Sequence, residues 1–350
     1  IIGSTKQKKK MNEVDVNSQG FTDEEWEELE KIKNKPKREL TEEELRLKEL
    51  KAEKDKQRNT AISILRGISI RIPLLIYGAN IDDNKEVTVD NFVDLVDDIS
   101  WQEFMPAGVT KELFKEFSQY YDNEIFVGAG RKIRNMAKYA DTLSPIERAK
   151  TISDIFATFR NPDKETVLTP WKTVNLHMGD TIGGYNFYDE SYMVTIEEPR
   201  LINNGDLTYD ILFDVDSKIL EINSKTGLYP LYVTISLFKQ RCLNTDTKKL
   251  TDEFAKALWD QTVAENIYVI CKTPMAKSIT ERTLIGYNNA KTNIFYYNNI
   301  IEDLKKDPAI VKNKITALNT WGIKGTLGID GGEKMKFDIV IGNPPYQEDI

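Results

Sequence analysis

No apolar run in this 350-residue chain approaches the roughly 20 residues needed to cross a bilayer. Its lysine-rich start leads into more charge instead of an apolar core. Neither a membrane span nor a secretory signal is expected, and the cytoplasm is the simplest compartment. Cysteine is scarce: Cys242 and Cys271 are the only two, too few for a disulfide framework or a zinc site. A single histidine, His177, argues against multi-histidine metal chemistry, and no metal site is expected. No Walker A phosphate loop is present, so these residues are not themselves an ATP-driven motor. Internal repeats are absent. The net charge of −8 argues against a uniformly basic nucleic-acid coat, but a local basic patch or a separate recognition domain can still supply phosphate contacts.

What is present falls into three stretches. Residues 1–20 are polar, with the cluster Lys8-Lys9-Lys10, and read as a tail or the end of an upstream domain. The first residue is Ile1, so the chain reads as a segment of something longer. Residues 21–160 read as an all-helical module. Thr22 with Glu25, and Thr41 with Glu44, have capping-box spacing, and each pair opens a Glu/Lys/Leu-rich run that Pro73 is expected to interrupt. Further on, Phe92, Val93, Leu95, Val96 and Ile99 share one helical face, while the acidic pair Asp97-Asp98 reads as solvated surface. Ser144, Pro145 and Glu147 form another helix start. From about residue 161 to 350, β-prone runs ("KILEI", "NIYVICK", "FDIVIG") alternate with helical stretches. That alternation predicts an α/β layer with a mainly parallel sheet.

The stretch "FDIVIGNPPY" carries the most chemistry. Ile339, Val340 and Ile341 suit a buried parallel strand, and Gly342 lets the backbone turn closely past a ligand. Asn343 offers a side-chain carbonyl, and Pro344 a backbone carbonyl without an N–H. The consecutive Pro344 and Pro345 restrict the backbone around both acceptors, and Tyr346 offers a face on which a planar ring can stack. Two converging acceptors beside an aromatic face suit a flat substrate bearing an exocyclic amine.

In these residues the chain resembles the amino-methyltransferases, in particular N6-adenine DNA methyltransferases, whose catalytic loop reads Asn-Pro-Pro-Tyr after the fourth strand. The resemblance implies a Rossmann-like fold that uses S-adenosylmethionine, with Asn343, Pro344, Pro345 and Tyr346 as the catalytic loop. It implies double-stranded DNA as partner, with the target adenine flipped out of the helix. The amine would donate to Asn343 and Pro344, and its lone pair would attack the cofactor methyl group directly. "KILEINSKTGLYPLYV" resembles the cofactor loop after the first strand, which assigns Glu221, Asn223 and Gly227 to the cofactor; Lys225 stands where a glycine is usual. "VLTPWKTVNLHM" resembles the element that covers the cofactor, through Thr169 and Pro170, with Leu168 in place of an aromatic. The carboxylate that often ends the second strand and holds the ribose is missing: Cys271, Lys272 and Thr273 stand there, with Glu265 only at the strand's start. Cys271 reads as buried and inert, Thr273-Pro274 as a helix start, and His177 as a packed or surface residue.

More distantly, "ILRGISIRIPLLIYGA" and "SWQEFMP" resemble segments of large bacterial restriction–modification polypeptides. There a helicase-like ATPase is joined through helices to an adenine methyltransferase. That resemblance implies a helical coupler over residues 21–160 and an incomplete methyltransferase domain over 161–350, cut after its fourth strand and inactive alone. Helicase-like and nuclease domains would lie upstream and a target-recognition domain downstream. Two other readings stand beside it. A release-factor glutamine methyltransferase also uses Asn-Pro-Pro-Tyr, to hold a planar amide. Alternatively, the segment is a non-catalytic helical coupler with a degenerate methyltransferase half.

Overall fold

The computed structural model describes residues 41–82, 84–159, 168–246, 248, 250–322 and 334–342. The Lys8–Lys10 cluster and the Thr22/Glu25 pair lie outside them. The first described helix, α1 (Glu42–Gly78), opens on the expected capping box. Thr41 N–H donates to Glu44 Oε2 at 2.7 Å, and Glu44 N–H to Thr41 Oγ1 at 3.3 Å. It runs unbroken through Pro73, against expectation. Ile68, Ile72, Leu74, Leu75, Ile76 and Tyr77 are all buried around that proline. Each such side chain contributes about 1.5–3 kcal/mol, and together they outweigh the roughly 3 kcal/mol that an interior proline costs. By length and composition α1 could cross a membrane, but 56% of its most apolar window is buried inside the protein, as in a core helix.

Short helices follow: α2 (Val89–Phe92), α3 (Asp98–Phe104), α4 (Lys111–Phe117), α5 (Asn123–Ala140) and α6 (Pro145–Ala157). Phe92, Val93 and Val96 are buried as expected, but Ile99 is exposed. Val96 is extended (φ −119°, ψ 121°), and α3 restarts on Asp97, whose Oδ1 accepts from Ser100 N–H at 2.9 Å. That break resets the helical face. Asp97 and Asp98 are exposed, and Asp97 gains a capping function there. Ser144 and Glu147 form a reciprocal capping box at the start of α6, with Pro145 in its first turn.

The second half begins with α7 (Trp171–Thr181) and an antiparallel hairpin, β1 (Gly184–Tyr188) with β2 (Thr195–Ile202), which the sequence patterns did not reveal. The elements that build the site come next: β3 (Ile219–Ile222), α8 (Leu228–Leu243), α9 (Asp252–Asn266), β4 (Ile267–Cys271), α10 (Pro274–Ile285), β5 (Asn293–Tyr296), α11 (Ile300–Lys306), α12 (Pro308–Thr316) and β6 (Ile339–Gly342). The four strands β3–β6 form one parallel sheet in the order β5-β4-β3-β6. The fold is thus a helical N-terminal region followed by an α/β region with a four-stranded parallel sheet, as predicted. One sheet face packs into the main core through Ile219, Val269 and Ile341. Leu220, Tyr268 and Ile270 on the other face pack with Ile300, Val311 and Trp321. Among the described strands β6 pairs only with β3. Val340, expected to be buried, is 58% exposed for that reason.

The main core runs continuously from Leu65 in α1 to Ile341 in β6, so the helices and the sheet share one interior. Helix α10 joins them. Arg148 of α6 donates to the carbonyls of Arg282 (2.7 Å), Thr283 (2.9 Å) and Leu284 (3.2 Å) at the end of α10. The Thr283 and Leu284 carbonyls have no partner within the helix, and the Arg282 carbonyl also accepts from Gly286 N–H at 3.0 Å. Arg148 also pairs with Asp141 at 2.9 Å, both side chains being nearly buried, and Asp141 accepts Tyr287 N–H at 2.8 Å. In return, Arg282 of α10 caps the end of α1, donating to the carbonyls of Tyr77 and Ala79 and to Asn80 Oδ1. A Cβ added at Gly78 would collide with Ile279 of α10. Arg148→Met removes the buried charge that pairs with Asp141 and leaves the Thr283 carbonyl without a donor, at an expected cost of about 3–5 kcal/mol. Urea denaturation of this variant checks it, and a loss below about 1 kcal/mol would contradict the capping account.

Candidate functional site

In an open α/β sheet the strand order reverses at one place, and ligands bind outside the carboxyl ends of the strands there. Here β3, β4 and β5 step to one side, while β6 lies on the other side of β3. The reversal therefore falls between β3 and β6. Their register pairs Ile222 with Gly342: the residue before Asn223 lies beside the residue before Asn343. Asn343, Pro344, Pro345 and Tyr346 lie outside the described residues; their strand ends where the reversal predicts a ligand. A Cβ at Gly342 would meet nothing within 4 Å, so packing alone gives no reason for that glycine.

The loop after β3 is held on α10. Ser224 N–H donates to Ile270 O at 3.1 Å. Ser224 Oγ accepts from Gly227 N–H at 3.1 Å and lies 3.2 Å from Thr280 Oγ1. Thr283 Oγ1 donates to Thr226 O at 2.7 Å. Gly227 has φ +74°, and a Cβ there would stand 3.1 Å from the Thr280 Cα, so both conformation and close approach require glycine. Asn223 has φ +67°, a left-handed conformation uncommon for residues other than glycine. Glu221, the penultimate residue of β3, faces the core and is 3% exposed. Burial pushes its carboxyl up to about 8, only partly offset by the Ser224 hydrogen bond. Its Oε2 has no hydrogen-bond partner among the described residues. A buried, unpartnered carboxyl oxygen beside the expected cofactor loop suits a ligand that brings a hydrogen-bond donor.

Lys225 does not stand free. Its Nζ pairs with Glu103 Oε1 at 2.9 Å, while Lys272, directly after β4, pairs with Glu103 Oε2 at 2.8 Å. Glu103 comes from α3 in the helical region and is 16% exposed. Burial pushes its carboxyl up, but the two lysines outweigh that and hold it below the usual glutamate range. Helix α3 is fixed there by Ser100, whose Oγ accepts from Met275 N–H at 3.0 Å in the first turn of α10. Sequence reasoning missed Glu103. Its one trace was the two lysines, Lys225 where a glycine is usual and Lys272 where a carboxylate is usual, which signal a need for negative charge without saying where it comes from. Glu265 cannot supply it: it precedes β4, at the opposite end of that strand, and pairs there with Arg241 at 2.9 Å.

The Thr169-Pro170 element lies before α7, where Pro170 takes the cap position and makes no side-chain capping bond. It reaches the loop's helix through its neighbour Trp171, whose ring centroid lies 6.2 Å from that of Tyr232 in α8. Leu168 is buried in the core. His177 shares a 2.8 Å hydrogen bond with the Tyr229 hydroxyl and stacks on its ring, a packing arrangement as expected. Cys271 is fully buried, burial pushes its thiol pKa up, and Thr273 caps α10 through Ala276 N–H at 3.1 Å. Among the described residues no cluster of His, Cys, Asp or Glu could hold a metal.

Residues 265–350 match the family model of the Eco57I restriction-modification methylase. The match begins just before β4, spans the rest of the sheet and includes Asn343–Tyr346. No curated protein and no solved structure matches the chain.

The raised Glu221 carboxyl has a consequence for stability. From its ordinary value of 4.5 up to about 8, the unfolded chain releases this proton while the folded chain keeps it. Stability therefore falls as pH rises through that window, by up to roughly 1.4 kcal/mol per unit. Glu221→Gln, neutral in both states, should lose less stability than the wild type between pH 5 and 8 and be the more stable of the two at pH 8. Denaturation at both pH values checks this, and identical pH profiles would contradict it.

Proposed function

We propose that this chain carries the catalytic core of an S-adenosylmethionine-dependent DNA adenine-N6 methyltransferase of the restriction–modification type. The observation that carries the reading is the register pair Ile222–Gly342. It sets the ends of β3 and β6, from which the proposed cofactor and catalytic loops would lead, side by side at the reversal of the sheet. The match of residues 265–350 to a restriction-modification methylase family supports the same reading.

S-adenosylmethionine supplies the methyl group when bound. Glu221 would offer its unpartnered oxygen to a donor on that ligand, Asn223 and Gly227 would let the backbone approach it, and Thr169 and Pro170 would cover it. Tyr346 would stack on an adenine flipped out of duplex DNA. Asn343 and Pro344 would accept hydrogen bonds from the exocyclic amine, orienting its lone pair toward the methyl group. The amine would attack the methyl group directly, with the neutral thioether as leaving group and one amine proton lost to solvent, so no covalent enzyme intermediate is needed, and none of the roles is given to Cys271 or His177. Residues 21–160 would couple this methyltransferase part, residues 161–350, to upstream helicase-like and nuclease domains of the same cytoplasmic polypeptide, with a target-recognition domain downstream of it.

Asn343→Ala in the full-length protein should lower methyl transfer to DNA by about 100-fold or more while leaving S-adenosylmethionine binding intact. A filter-binding assay with labelled cofactor and a DNA transfer assay separate the two. Parallel loss of both would contradict the role of Asn343. Transfer to a release-factor peptide but not to DNA would overturn the substrate class.

A further inference from the structure

Two lysines flank the site proposed above, one after β3 and one after β4, and a single carboxylate from the helical region bridges them. We propose that Glu103 is the counter-charge of the cofactor site: by neutralising Lys225 and Lys272 it allows a cationic sulfonium ligand to bind, and it thereby sets the preference for S-adenosylmethionine over its neutral thioether product. The inference rests on the reading of the site as an S-adenosylmethionine site and names a residue that acts on its specificity.

The geometry supports a built arrangement. Both Glu103 oxygens are engaged, Oε1 by Lys225 at 2.9 Å and Oε2 by Lys272 at 2.8 Å, and the carboxylate is 16% exposed. Exposed ion pairs contribute little. Here the carboxylate is largely withdrawn from water, although Lys272 stays partly exposed, and its helix is locked by a second contact, Ser100 Oγ accepting from Met275 N–H. Helix α3 thus reaches the carboxyl ends of β3 and β4, where the ligand is expected.

Charge decides the consequence. With Glu103 the trio carries a net +1; without it, +2. The sulfonium is a permanent cation, whereas the product left after methyl transfer is not. An added positive charge in a partly buried site should therefore weaken the sulfonium ligand selectively, on the order of tenfold for one unit charge. A residue that held only the ribose would affect both ligands alike, because the ribose is common to them.

The test is calorimetric titration of the full-length protein with S-adenosylmethionine and with S-adenosylhomocysteine. Glu103→Gln should weaken the first by about tenfold and change the second much less. Lys225→Met removes a cation instead and should move the ratio of the two affinities the opposite way, which keeps the test informative should Glu103→Gln fail to fold. An unchanged ratio in these variants overturns the proposal. So does tighter binding of both ligands by Glu103→Gln, which would mark the carboxylate as a plug. Binding of neither ligand by the wild type instead removes the reading of the site on which the inference rests.

Discussion

Helix α10 is gripped at both ends by side chains from the helical region, and that grip fixes where the loop after β3 lies. Ser100 accepts from its first turn and Arg148 fills its last carbonyls. Between those ends, Thr280 and Thr283 hold Ser224 and Thr226 of the loop. Arg282 reaches back to the end of α1. A displacement of the helical region therefore cannot leave the loop unmoved, because one helix carries both sets of contacts. Packed interiors resist gradual deformation, so these parts respond together or not at all.

The same constraint accounts for the charges of the site. Lys225 would be a poor occupant of a loop expected to admit a cationic cofactor, were its charge left uncompensated. Helix α3, brought to the strand ends by Ser100, supplies Glu103 to Lys225 and Lys272 together. Glu221 shows the opposite solution. Its charge is suppressed by burial, and one oxygen is left without a partner. An anion contributed from outside the sheet and a neutral carboxyl within it thus both serve one short stretch, Glu221 to Lys225.

Local sequence patterns revealed much of this architecture. The runs "KILEI", "NIYVICK" and "FDIVIG" are strands because short apolar, β-branched segments between helical stretches have few alternatives in an α/β layer. The caps at Thr41, Ser144 and Thr273 were legible because capping is a contact within a few residues. Failures arose where distant packing decided the outcome. Pro73 stays helical because the surrounding core outweighs its local cost, and Ile99 turns outward because the chain restarts at Asp97. Val340 is exposed because its strand has β3 alone beside it among the described strands. Glu103 lies more than a hundred positions from the lysines it serves, and no local pattern encodes such a pairing. Glu221 and Gly227 were picked out by a resemblance to a cofactor loop, whose chemistry and spacing sit together in one short stretch.

The central claim is that the loops after β3 and β6 form one ligand site at the reversal of the sheet. Hydrogen–deuterium exchange of the full-length protein, with and without S-adenosylmethionine, tests it most directly. Slower exchange is expected in peptides covering residues 221–227 and 342–348, with the charged start of α1 unaffected. Protection of neither loop, or protection confined to segments away from both, would contradict the account.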